Sequence, residues 1–491
     1  MKSKNIFSIA FGASVILFDV LFWKEKTGLN VFLFSGFLVG VMMVLYPERI
    51  KHLPVKITLV GTLLTAATVV VNNSILSVAV HIFSMLAFIG FVHRGQLGFI
   101  GSAIGSNFLR SIELPLLFSE KMYTSTTEFN GLPKIWRVIK LIGFPALGLF
   151  LFFQIYISAN SKFAALSRDF FALFDFLSFD SQNSISIGHV MFILLGAILT
   201  AMALLPAKFS LFESLESMQT DDIEKKKSNF KSWFCNPGSM IGLKNEFRSA
   251  LILIGSLNVL LFLVNLVDVR YVWFNTLEAS PAILSQYVHE GTWLLILSIL
   301  LSMGILSFYF RGNLNFFKEN IWLKRLSFMW IAQNAVLACS VAARNYQYVD
   351  HYGLAYKRIG VGVFLIMTLF GLATMVIKVN EKKSLFYLLK MNGWSVYLVL
   401  VMSCLLNWDV LITKYNLTAE TKSAIDTEFL IYDVSDKNLF LLNRYIDDLE
   451  TDDPTALVKV ISKEKAFKNK RAGTTWVSWN WPDHRNKKYL K

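Results

Sequence analysis

The second half of the chain is mostly apolar, and the few ionisable and amide side chains that interrupt it are those whose types could do chemistry. Tyr287-Val288-His289-Glu290-Gly291 opens one apolar run, and Asn334 lies within the next. Arg344-Asn345, Tyr348, Asp350, His351 and Tyr352 follow at the exit of that run, and Asn407 and Asp409 end the last one. Ionisable groups inside or bordering lipid-embedded helices are costly, so each needs an account. His289 or His351 could serve as a general base near neutral pH, with Glu290 or Asp350 orienting it. Arg344 could clamp an anionic headgroup or a carboxylate. Two His and two carboxylates could ligate a divalent ion. Neither His-Glu nor Asp-His has the i,i+4 spacing that sets two ligands on one helical face, so no metal is assigned. Against these readings stands a structural one, in which the same residues cap helix ends and form ion pairs that lock a bundle.

Other motifs are weaker. Arg311-Gly312-Asn313-Leu314-Asn315-Phe316 reads as a tight, hydrogen-bonded turn, because Asn on either side of a Gly-led bend can bond its own backbone. His81 and His189 stand singly in apolar runs and read as satisfied bundle histidines. Asn416-Leu417-Thr418 fits a glycosylation acceptor, a pattern too short to carry weight. The chain has no Walker motif, dinucleotide glycine fingerprint, HExxH or GxSxG, so ATP-driven transport by this chain alone is disfavoured and no cofactor is called for. No catalytic residue is assigned.

The elements that must hold these residues are long apolar runs at 6–23, 29–46, 55–72, 74–92, 138–158, 186–206, 248–267, 291–310, 325–345, 358–377 and 393–411. Each approaches or exceeds the ~18 residues that span hydrocarbon at about 1.5 Å per residue. Lipid offers backbone groups no partner, so the spans are helices. The expected fold is all-α: a polytopic bundle of about eleven transmembrane helices followed by a small, mostly helical polar domain at 412–491. Alternate loops carry the Lys and Arg: Lys2 and Lys4; Arg49, Lys51 and Lys56; Arg94, Arg110, Lys121, Lys134, Arg137 and Lys140; Lys208 to Lys244; Arg311 to Arg325; Lys378 to Lys390. That alternation sets the N-terminus inside and, with an odd number of spans, the C-terminus outside. His289, Glu290, Arg344, Asp350, His351 and Asp409 then share the outer boundary, where they could line an outward-facing pocket.

Three segments are not expected to span. Residues 95–120 carry Arg110 and Glu113 at i,i+3, which mid-bilayer would penalise, and read as interfacial or re-entrant. Residues 161–179 set Phe163, Leu166, Phe170, Leu173, Phe174 and Leu177 on one helical face, an amphipathic helix on the outer surface. Residues 207–247 read as a solvated cytoplasmic linker, with a protein partner docking at Asp221-Asp222 or Lys225-Lys226-Lys227 as the sharper reading. The domain division is therefore 1–92, 93–137, 138–206, 207–247, 248–411 and 412–491.

Composition agrees. Only 17% of the 491 residues are charged, too few to solvate a soluble chain of this length. The formal net charge of +14 resides mostly in short loops between apolar runs, which argues against nucleic acid and for the bilayer as partner. Cys235, Cys339 and Cys404 have no metal or disulfide spacing. The basic start followed by an apolar run lacks a convincing cleavage site before Asp19 and Trp23, so a retained first helix is expected.

At Tyr287–Gly291, Arg311–Phe316, Gln333-Asn334, Arg344-Asn345, Tyr352-Gly353-Leu354, Tyr356-Lys357-Arg358 and Asn407-Trp408-Asp409 the chain resembles a bacterial polytopic membrane family. That family is catalogued as domain of unknown function four-one-seven-three and occurs in Bacteroidota. Trp476-Val477-Ser478-Trp479-Asn480 is similar to its C-terminal pattern, and the resemblance covers 280–480, with the N-terminal half matched by hydropathy alone. Residues 426–450 depart from the family's more regular Leu- and Ser-rich stretch. The resemblance implies a bacterial cytoplasmic (inner) membrane location and no reaction. Three functions remain open: a transporter or lipid-handling protein that takes a small molecule or lipid headgroup at His289, Glu290, Asn334, Arg344, Asp350, His351 and Asp409; a sensor or scaffold subunit with an exterior C-terminal domain; and a membrane-embedded enzyme.

Overall fold

A computed structural model describes residues 2–110, 113, 187–206, 210–225, 240–273, 281–418 and 426–489. Within these residues regular structure is helical, and the only pairing of strand type is one bridge between Asp222 and Lys383. The expected span at 138–158, the amphipathic segment at 161–179 and Cys235 lie outside the described residues.

The main helices are α1 (Lys2–Phe22), α2 (Leu29–Leu45), α3 (Leu53–Val71), α4 (Ile75–His93), α5 (100–110), α6 (Ile187–Leu204), α7 (Leu211–Ser217) and α8 (Met240–Asp268). There follow α9 (Pro281–Tyr309), α10 (Asn320–Tyr352), α11 (Tyr356–Glu381), α12 (Leu385–Cys404) and α13 (Trp408–Thr418). Shorter helices complete the tail: α14 (Leu439–Arg444), α15 (Ile446–Asp452), α16 (Ala456–Arg471) and α17 (Trp481–Tyr489). Among the described residues, six helices are long and apolar enough to cross a membrane. The protein is a multi-pass membrane protein.

Two boundaries differ from expectation. The run at 393–411 is not one helix: α12 ends at Cys404, and Asn407 accepts a bond from the Val410 amide (3.2 Å) at the start of α13. An Asn that caps a new helix removes a backbone donor from competition more cheaply than one held mid-helix. Asp409 therefore opens α13 instead of closing the last span. Likewise α9 begins at Pro281, so His289 and Glu290 lie two turns inside it and do not open it.

The spanning helices form two cores. The first joins Phe7, Leu38, Met42, Phe88, Phe91 and Leu204 with Tyr397, Val401 and Cys404 of α12. The second gathers α8 to α11 around Ile254, Ile299, Leu323, Leu337 and Met375, and includes Leu388 of α12. Although α12 follows α11 in sequence, it lies against α3 and α4 as well. It ties the halves together.

Both cores are threaded by polar side chains that grip neighbouring helices, as expected where lipid removes the hydrophobic drive to associate. Thr58, Thr62, Thr65, Thr68 and Asn72 form a buried stripe on α3. His81 on α4 meets Ser35 of α2 through Nε2 (2.8 Å) and Thr65 through Nδ1 (3.2 Å), so both ring nitrogens are engaged. Thr62 reaches Ser84 (3.2 Å), which reaches Tyr397 Oη (2.7 Å). Asn72 donates to the Cys404 carbonyl (2.8 Å). In the second core α8 and α10 run parallel, and Asn258 and Asn265 donate to the carbonyls of Leu326 (3.1 Å) and Gln333 (3.0 Å). The two asparagines are one heptad apart, the period that keeps one seam facing its partner.

Candidate functional site

Helix ends collect on two faces. On the face opposite the tail, Tyr46 Oη and His93 Nε2 meet the carbonyls of Leu204 and Ala203 (2.7 Å each). Arg94 pairs with Glu213 (2.6 Å), and the Glu216 carboxylate accepts from the Gly98 (2.5 Å) and Phe99 (3.2 Å) amides just before α5. An anion there compensates the orphan amides of a helix start. Arg110, fully buried on α5, donates to the Met202 carbonyl (2.9 Å), near the end of α6 on this face. The charge that sequence reasoning kept out of the bilayer centre is thus buried in protein near one boundary.

Within the described part of the 207–247 loop, residues 221–223 are tied to the α11–α12 turn. Lys390 pairs with Asp221 (2.6 Å), Lys383 with Asp222 (2.8 Å), and the Ile223 amide donates to the Lys382 carbonyl (3.0 Å). These acidic residues are spent within the chain, because the α11–α12 turn presents its lysines to them. Lys378, also fully buried, donates to the carbonyls of Phe310 (3.0 Å) and Lys383 (2.9 Å), tying the exits of α9 and α11. The turn at Asn313–Phe316 forms as expected, with Asn315 donating to the Gly312 carbonyl (2.9 Å).

On the tail face Arg344 and Asp409 belong to distinct networks. Arg344, buried on α10, forms an ion pair with Asp268 at the end of α8, also buried. One turn earlier on α10, Ser340 accepts from Trp273 Nε1 (3.0 Å). Asp409 takes part in a second network: its carboxylate accepts from Tyr356 Oη at the start of α11 and from Ser435 Oγ in the tail. Asn334 is buried, donates to the Trp330 carbonyl (2.8 Å) and leaves Oδ1 without a hydrogen-bond partner. Asp350 and His351 occupy the last turn of α10, half-buried, and the His351 ring meets the Tyr352 ring edge-on at 4.6 Å. His289 and Glu290 are placed only by their backbone, within α9. Among the described residues, no group of three or more His, Cys, Asp or Glu is arranged to hold a metal ion.

The tail closes over this face. Ile412, Leu430, Ile431, Val434, Leu442, Leu449 and Val460 form its core, packed against Leu354 of the α10–α11 turn and Ile359 of α11. Gly353, at φ +78°, takes a left-handed conformation that a side chain would strain. Asn416 then pairs with both backbone groups of Leu354, accepting at 2.6 Å and donating at 2.9 Å. Its amide is committed to the fold, which argues against the glycosylation reading. Across the molecule, the Leu29 amide donates to the Trp479 carbonyl (2.9 Å), and the Lys26 amide to Ser478 Oγ (2.8 Å). Burial would raise the Glu25 carboxyl, but hydrogen bonds from Ser478 and Thr475 hold it below its usual value. Sequence reasoning missed Asp268, Glu25 and Ser478. Asp268 had a signal, since a carboxylate ending an apolar run asks for a cation; Glu25 and Ser478 had none.

The domain of unknown function DUF4153 matches the chain over residues 13–445. The chain belongs to this family. As the boundary motifs implied, it is a domain of unknown function; its number is four-one-five-three, where the resemblance pointed to four-one-seven-three. The match takes in the N-terminal half, which hydropathy alone had linked to a family, and stops before Trp476–Asn480. No curated protein and no solved structure matches the chain.

Proposed function

We propose that this DUF4153 member is a sensor or scaffold subunit of a bacterial cytoplasmic membrane, with its tail outside coupled to both helical cores. One observation carries the reading: Arg344 and Asp409, two of the charged residues that could have lined an outward cavity, are engaged in separate networks, and the tail uses Asp409 as an anchor. A load on the tail reaches the second core through Leu354, Ile359 and Tyr356, and the first through Glu25 to Leu29. The reading keeps about eleven spans with the N-terminus inside, as the alternation of basic loops implies. His93 lies on the face opposite the tail and Ile187 on the tail face, a parity satisfied by an odd number of crossings between them.

A transport reading is favoured by a different observation. Asn265 Oδ1, Asp268 Oδ2, Gln333 Oε1 and Asn334 Oδ1, all on α8 and α10, have no hydrogen-bond partner. Buried acceptors of this kind are costly unless something visits them.

Complementation of a null strain under envelope stress separates the two. The sensor reading expects Glu25→Ala and Ser478→Ala to lose function while membrane levels stay normal, and Asn334→Leu to keep it. The reverse pattern, with Asn334→Leu inactive and the tail variants active, overturns it in favour of transport.

A further inference from the structure

The tail carries a face that no other described residue covers. One side of α17 is buried: Asp483 pairs with Lys437 (2.9 Å) and Arg471, and Asn486 bonds the Phe440 amide (3.2 Å) and the Asp436 carbonyl (2.6 Å). The other side presents Trp481, His484, Lys487, Lys488 and Tyr489 to the exterior. Trp481, His484 and Lys488 follow i, i+3, i+7 and so share one stripe. Trp479 and Trp476 extend it, with exposures of 42% and 68%, and the His484 ring lies about equally far from Trp479 (6.0 Å) and Trp481 (5.9 Å).

Where this face sits decides what covers it. Trp476–Ser478 packs on the start of α2, the Trp479 carbonyl accepts from Leu29, and α17 lies against α3. Val71, the last residue of α3, and Ile75, the first of α4, are 52% and 91% exposed, apolar side chains with hydrocarbon as their natural surroundings. Exposed indoles and lysines are therefore held at the level where spans leave the bilayer. Indoles favour that zone for their amphipathic rings, and lysines there attract anionic headgroups.

We propose that the Trp476–Tyr489 surface is a membrane-contact face, seated on the headgroups of anionic phospholipids beside the spans. This also accounts for the basic residues of an exterior tail, which loop-charge bias alone does not. The inference rests on the chain spanning a membrane and is indifferent to which side the tail occupies.

The test is site-directed spin labelling of the full chain, with Cys235→Ser and Cys339→Ala as background, in nanodiscs of phosphatidylcholine with or without phosphatidylglycerol. Labels replace Trp479, Trp481, Val458 on the exposed side of α16, and Ile366 on α11. The Leu29–Trp479 bond uses backbone atoms and survives the substitution. Labels at 479 and 481 are expected to show a severalfold higher ratio of oxygen to nickel-chelate collisions than the label at 458. Phosphatidylglycerol should raise that ratio further, and K487A/K488A should remove the increment. A water-like ratio at 479 and 481, matching 458 in both lipids, overturns the proposal, as does an increment that persists in K487A/K488A. Shielding with dipolar broadening between labels would assign the face to a second copy and also overturn it. A water-like ratio at 366 would instead refute the spanning reading.

Discussion

Arg344 and Asp268 show how a charge inside a membrane protein is made tolerable. Each is almost inaccessible, and each neutralises the other across α8 and α10. Removing one partner of a buried pair leaves the other charge uncompensated, a loss of about 3–5 kcal/mol, whereas replacing both can be nearly neutral. Arg344→Ala or Asp268→Ala should therefore lower the thermal midpoint in detergent markedly, and Arg344→Leu with Asp268→Leu should recover most of it. An unchanged midpoint in the single variants would show that the pair is solvated. Lys463 is a second case, outside the spans. It donates to the Val434 carbonyl (2.8 Å) and Asn438 Oδ1 (3.0 Å), and burial pushes its ammonium down to about 8 from 10.5. Between these values the unfolded chain binds more protons than the folded one, so stability rises with pH. The penalty is full below about 8 and relieved towards 10.5. Unfolding of the tail measured across that window should show this slope in the wild type and a flatter one in Lys463→Met.

The heptad-spaced asparagines give α8 and α10 their register. Asn258 and Asn265 bond carbonyls at the same offset, so sliding one helix past the other breaks both bonds together. Bonds of this type in membranes contribute about 0.5–2 kcal/mol each. Asn258→Leu and Asn265→Leu should each cost about that much in unfolding free energy by denaturant titration. A stabilising effect of both would show that the seam is held by packing alone. α7 and the 221–223 segment play a similar part on the opposite face, where Glu213, Asp221 and Asp222 meet Arg94, Lys390 and Lys383.

At the scale of the whole molecule, the tail is a clasp across two cores. It packs tightly on Gly28, where an added Cβ would lie 2.6 Å from the carbonyl oxygens of Ser478 and Trp479. These are backbone atoms and cannot step aside. Gly28→Val should release the clasp, seen as faster proteolysis of the tail at unchanged membrane insertion; wild-type protection would mean that the contact is dispensable. Cysteines placed at Lys24 and Lys488 should be labelled by an impermeant maleimide from one side of the membrane, and one at Met218 from the other. Labelling of all three from a single side would contradict the two-face arrangement.

Read without its fold, the chain already discloses that it is helical and membrane-embedded, because apolar runs near span length and alternating basic loops leave few other solutions. It also marks His81 as a bundle histidine and Arg311–Phe316 as a turn, since both follow from local spacing. What the fold decided is which charges meet. Arg344 finds Asp268 76 residues away, Asp409 finds Tyr356 and Ser435, and Glu25 finds Ser478 453 residues on. Pairing across such separations depends on which helices become neighbours, and hydropathy gives every span the same apolar signature. The residues that looked like a site were legible as costly. Only the tertiary structure shows that Arg344 is met by Asp268 and Asp409 by Tyr356 and the tail.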